Sequence, residues 1–148
     1  MPDESSFDDA EFLGLARRSR RDPYRLGLFA RHLEMGERAS FVLPVAGGTL
    51  VGTDRRLLLF TTHLEVDGAW NVREFTGYVV SREIPLDRIL EVRPFGSVAP
   101  NEIVEGISVF TPEGPVDFVV SKGLERVVSD EDIGRILARL TRRSPSGG

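Results

Sequence analysis

The sequence predicts a mainly β fold of the α+β class. About seven short antiparallel strands form a barrel or bent sandwich, a C-terminal helix closes its open end, and a helical extension precedes it. Two observations carry that prediction. Between Phe41 and Val120, short apolar runs are separated by turn formers such as Ala46-Gly47-Gly48, Asp67-Gly68 and Pro112-Glu113-Gly114-Pro115. Beyond them Ile133, Ile136, Leu137 and Leu140 recur at helical spacing, which gives the last element one apolar face.

At 148 residues the chain has the length of one domain with an appendage, or at most of two very small units, and a domain of that size buries a core without metals or disulfides. It divides into a helical extension at 1–38, the β unit with its closing helix at 39–142, and a disordered tail at 143–148. Nineteen basic against 23 acidic side chains leave a net charge of −4, which argues against nucleic acid as a partner. There is no cysteine, so disulfides, thiolate zinc sites and cysteine nucleophiles are excluded. With only His32 and His63 available, a multi-histidine site within one chain is hard to build. Neither a metal nor a cofactor is expected. The acidic start Met1–Ser6 lacks the apolar centre of a signal peptide. No later run approaches the roughly 20 apolar residues that cross a bilayer, so the expected location is the cytoplasm. Lys122 is the sole lysine, a composition bias more than a functional sign.

Ser6 is placed to cap a first helix, with Asp8, Asp9 and Glu11 at its positive end and Phe12, Leu15 and Ala16 as its apolar stripe. Arg17, Arg18, Arg20 and Arg21 then gather where cations suit the negative pole. Their plain role is that charge complement, and the alternative is a patch for phosphate or an anionic lipid head group. Asp22-Pro23 restarts the chain as cap and first helical residue. Leu26, Phe29, Ala30 and Leu33 form an apolar face to pack on the β unit, and Gly36 is placed to end the helix. His32 reads as a helix-surface residue.

In the β unit, Phe41–Val45 is the first strand, with Pro44 at an edge or strand end. The glycines at 47 and 48 do not form a phosphate loop, because β character resumes at Thr49 and no lysine follows. The apolar runs of Gly48–Gly52 and Leu57–Phe60 flank a polar Thr53-Asp54-Arg55-Arg56 break that reads as a tight turn between strands, and the almost wholly apolar Leu57–Phe60 is expected to be covered on both faces. From Thr61 to Gly77 the expectation is a protruding hairpin or long loop carrying Trp70 and Phe75. These aromatics fold back onto the barrel mouth or, alternatively, dip into a membrane or partner. Tyr78–Ile84 and Ile89–Arg93 are strands, Phe95–Glu105 reads as a loop, and Gly106–Thr111 with Val116–Val120 forms the last hairpin. Ser129 with Asp132 has the form of a capping box ahead of the final helix, and Val128 can staple onto Ile133.

The run Gly48-Thr49-Leu50-Val51-Gly52-Thr53-Asp54-Arg55-Arg56-Leu57-Leu58-Leu59-Phe60, followed by Ile84-Pro85-Leu86-Asp87-Arg88-Ile89-Leu90-Glu91-Val92, resembles bacterial pleckstrin-homology-like (PH-like) domains. Gly106–Thr111 and the terminal helix are also similar to that family, so the resemblance spans Ala39 to Thr141. The helical start and the excursion from Thr61 to Gly77 depart from the family core. The resemblance implies a binding scaffold without catalysis, whose bacterial members can assemble into homo-oligomers through barrel edges. It does not bring the phosphoinositide signature of eukaryotic members, a basic pair spread over the first hairpin. Arg55 and Arg56 stand instead in the second hairpin turn, suited to solvent or to pairing with Asp54 or a nearby acid.

The expected function is therefore a non-enzymatic interaction module that binds a protein partner or itself. Peripheral binding to an anionic membrane surface or ligand is the alternative. The candidate binding residues are Arg17, Arg18, Arg20, Arg21, Arg55, Arg56, Trp70 and Phe75. An enzyme would need a carboxylate pair with separated pKa values, or a histidine with a Ser or Asp partner. The sequence displays neither.

Overall fold

Apolar residues alternate along most strands, and the molecule uses both phases of that alternation to build two cores. The computed structural model describes residues 3–13, 23–62, 78–99, 102–123 and 127–141. A five-stranded sheet has the order β1-β2-β3-β4-β5, with β1 Glu11–Phe12, β2 Ala39–Val45, β3 Gly48–Thr53, β4 Arg56–Thr62 and β5 Tyr78–Pro85. A three-stranded sheet follows in the order β6-β7-β8, with β6 Glu91–Ala99, β7 Glu102–Thr111 and β8 Gly114–Gly123. Every pairing is antiparallel except that of β1 with β2. The two sheets form a sandwich and do not close into a barrel, although the Ala46 N–H donates to the Val119 carbonyl at 2.8 Å across one corner.

The main core lies between the sheets. It contains Phe41, Leu43, Leu50, Leu57, Ile107, Val109 and Phe118, and helix α2, Asp130–Thr141, seals it with Ile133, Ile136 and Leu140. A second core covers the outer face of the larger sheet, where helix α1, Pro23–Ala30, lays Leu26, Phe29 and Ala30 on Val42, Val51, Leu58 and Phe60. Rings cluster there: Phe29 stacks 4.8 Å from Phe60 and 4.2 Å from Tyr78. Leu57 faces the main core and Leu58 the outer one, so this strand is covered on both faces, as its composition implies.

Two β-bulges make this double use possible. Ala39 and Phe41 are two apart and would ordinarily share a face, yet a register shift between them sends Ala39 to the outer core and Phe41 to the inner one. On β5 the partners jump from Leu59–Arg82 to Phe60–Val80. Ile84 therefore points inward, while Val80 and Tyr78 point to the helix side.

The capping box at the last helix forms as its residues imply. The Asp132 N–H donates to Ser129 Oγ at 3.1 Å, the Ser129 N–H donates back to Asp132 Oδ2 at 3.4 Å, and Val128 and Ile133 share the main core. Ser129→Ala is expected to cost about 1 kcal/mol, seen as a lower urea midpoint at unchanged slope.

Three expectations are corrected. Ser6 caps no α-helix: Asp3 caps a 3-10 turn at Glu4–Phe7, and Glu11 and Phe12 are extended in β1. Phe7 and Leu13 enter the two cores instead, while Leu15 and Ala16 of the expected stripe lie outside the described residues. Helix α1 ends at Ala30, ahead of Gly36, whose positive φ of 78° serves a later turn. Phe95–Glu105 is not a loop. Strands β6 and β7 run through it, paired from Glu91–Phe110 to Ala99–Glu102. Among the described residues β6 is an edge strand, the place in a sheet where a proline such as Pro94 is tolerated.

Candidate binding cleft

A cleft of about 660 Å³ opens where the hairpin end of the smaller sheet stands off the inner face of β4 and β5. Its apolar lining comes from Leu59, Ile84, Val116 and Phe118, positions in phase with the main core but at its margin. One side is strand β5 at Arg82–Pro85, which is the edge of its sheet among the described residues. The other is the turn between β7 and β8, from Thr111 to Asp117. That turn is tight because Gly114 takes a φ of 120° and the Thr111 hydroxyl donates to its carbonyl at 2.9 Å.

Most charges around the cleft are already matched. Arg88 pairs with Glu113 across its mouth, and Glu83 accepts from Arg56 Nη1 at 3.0 Å. A backbone hydrogen bond first, then the Arg88 guanidinium, hold the Glu113 carboxyl below the usual range. It is therefore ionised near neutrality and is not a general acid there. Arg82, opposite Leu59 in register, has no ion-pair partner among the described residues. Among the described residues the site thus combines an apolar floor, an unpaired strand edge and one cation without an ion-pair partner. Those features suit recognition. No group of three or more His, Asp or Glu side chains able to hold a metal occurs among the described residues.

The proposed basic pair of the second hairpin takes a different place. Arg56 is 12% exposed and donates from Nη2 and Nε to the fully buried Glu37 carboxylate, at 2.9 and 3.0 Å, and from Nη2 to the His32 carbonyl at 2.8 Å. Arg55 is more open, bonded to the Met35 carbonyl at 3.0 Å and near Glu34 and Asp54. Pairing with nearby acids is thus realised for both, and Arg56 is a buried clamp. The structure does not bring them to the cleft. Arg17, Arg18, Arg20, Arg21, Trp70, Phe75 and His63 lie outside the described residues.

Sequence reasoning missed the cleft residues. One signal was present: Arg82 stands two residues before the inward Ile84, and a cation in phase with a core position marks where a sandwich opens to water.

No protein-family model matches the sequence, and no curated protein matches it. Among solved structures, the chain is similar to the crystal structure of a pleckstrin homology domain from Shewanella amazonensis SB2B. The TM-score is 0.51 and the identity 15%, over 78% of this chain and 93% of that one. At that identity the likeness speaks for architecture alone. The chain has a PH-like fold, with two mainly antiparallel sheets and a C-terminal helix sealing the space between them.

Proposed function

We propose that this chain is a non-enzymatic interaction module that holds an extended segment of a protein partner in the cleft between β5 and the β7–β8 turn. The observation that carries this reading is the edge of β5, unpaired among the described residues, bordering an apolar floor, because an exposed strand edge offers main-chain hydrogen bonds while side-chain pockets supply selectivity. The matched charges at the rim favour recognition over proton transfer. The use of PH-like folds as binding scaffolds agrees with it by analogy.

Panning a random-peptide phage library against the full chain, then titrating an enriched peptide by NMR, tests the reading. Expected are chemical-shift changes centred on Arg82, Ile84 and Val116. Val116→Arg, which fills the floor with a charge, should weaken binding at least about tenfold, a loss of about 1.4 kcal/mol. No enrichment, or shifts confined to another face, overturns it. Salt-sensitive flotation with anionic but not neutral vesicles, unaffected by Val116→Arg, would favour the membrane alternative instead.

A further inference from the structure

The N-terminal segment closes a groove that the other described residues leave open between the edge of β2 and helix α2. Its β1 pairs with β2 in parallel, Glu11 opposite Phe41 and Phe12 opposite Val42, and the Leu13 N–H adds a bond to the Val42 carbonyl at 2.9 Å. Leu13 is 2% exposed and enters the main core. Glu11 reaches α2, where Arg139 Nη2 donates to its carboxylate at 2.8 Å and Arg135 stands 4.0 Å away. A strand edge, an apolar hole and two guanidiniums together define what fits: an extended acid-aromatic-leucine segment.

We propose that this groove is a strand-docking site which a second copy of the chain fills with its own Glu11-Phe12-Leu13, the two copies exchanging segments reciprocally. Among the described strands β1 has the shortest pairing, two residue pairs where β2 and β3 share six, and is the one most readily released. Release uncovers the β2 edge, empties the Leu13 site and deprives Arg139 of its acid, and bare edges of this kind recruit another chain. A second copy carries the matching sequence, so exchange restores every contact without a new interface having to evolve. The proposal does not depend on the cleft, and Val116→Arg should leave it unchanged.

Charge reversal across the groove separates exchange from closure within one chain. Full-length Glu11→Arg places a cation against Arg135 and Arg139, and the variant Arg135→Glu with Arg139→Glu places acids against Glu11. Either chain alone meets like charges in its own groove and in an identical copy's, and is expected to sediment as a single chain. Their equimolar mixture offers opposite charges only between copies, and should form a two-chain species at least tenfold more tightly than either variant associates alone. A mixture that stays single-chain, with both variants folded by circular dichroism, overturns the proposal. Should either variant fail to fold, Phe12→Cys with Val42→Cys decides it, since these positions are register partners and the chain has no other cysteine. Oxidation of the concentrated protein should give disulfides between chains. Disulfides within chains only would overturn it.

Discussion

Arg56→Ala is expected to cost about 3–5 kcal/mol, a large part of the ~5–15 kcal/mol by which domains of this size are stable. The reason lies in what the substitution leaves behind. The Glu37 side chain is fully buried, and its carboxylate is matched by Arg56 Nε and Nη2, by the Thr53 hydroxyl at 2.6 Å and by the Glu34 N–H at 2.8 Å. Without the guanidinium, a buried negative charge remains with two neutral donors. The His32 carbonyl and Glu83 lose their partner as well. Urea denaturation measures the loss. A cost below about 1 kcal/mol, the range of an exposed pair, would show that this clamp is not holding the fold.

The same pair predicts a dependence on pH. Burial alone would raise the Glu37 pKa, but the hydrogen bonds from Arg56, Thr53 and the Glu34 backbone outweigh it, so the carboxyl titrates below its ordinary value of 4.5. A depressed folded-state pKa contributes stability that is complete above the unfolded value and disappears as pH falls through the folded one. Unfolding free energy should therefore decline below pH 4.5, and Glu37→Gln should flatten that decline. Equal acid slopes in wild type and variant would remove Glu37 as its source.

Phe41→Ala is expected to cost about 3–5 kcal/mol, the range for emptying an aromatic site in a packed core. Phe41 is fully buried, and its ring lies across the backbone of Gly52, its register partner on β3. A Cβ built on Gly52 would stand 2.2 Å from Phe41 Cε1. Gly52→Ala should accordingly destabilise by about 1–3 kcal/mol in the native background, through overpacking. In the Phe41→Ala background the added methyl enters the vacated space, and that penalty should vanish or change sign. A double-mutant cycle reads the coupling directly, and additive effects would mean that ring and glycine do not share the space.

Local features were legible where chain neighbours decide the structure. A turn joins two strands within the anticipated Thr53–Arg56 break, tightened to Asp54-Arg55, the capping box forms, and the turn between β7 and β8 tightens to Pro112–Glu113. The failures share one cause. Pro94 and Gly96 look like loop residues until β7 lies beside them, and Phe7 and Leu13 reveal two different cores only once a sheet edge separates them. Turn chemistry and periodicity report the nearest residues, and here a distant partner outweighed them.

The candidate site was less legible than the fold. Arg55 and Arg56 drew notice as adjacent cations, but whether a cation is free depends on the acids that arrive beside it. Glu37, 19 residues upstream, and Glu83, 27 downstream, arrive beside Arg56. Glu11 and Arg139 are 128 residues apart. The strands from β2 to β5, the hairpin of β7 and β8 and the helix that seals the core were legible from residues within a few positions of one another. Which arginines are buried, where the sandwich gapes, and which strand the N-terminus latches were decided only when distant segments met. Ion pairing and edge coverage are properties of juxtaposed surfaces, and no local pattern in the chain encodes them.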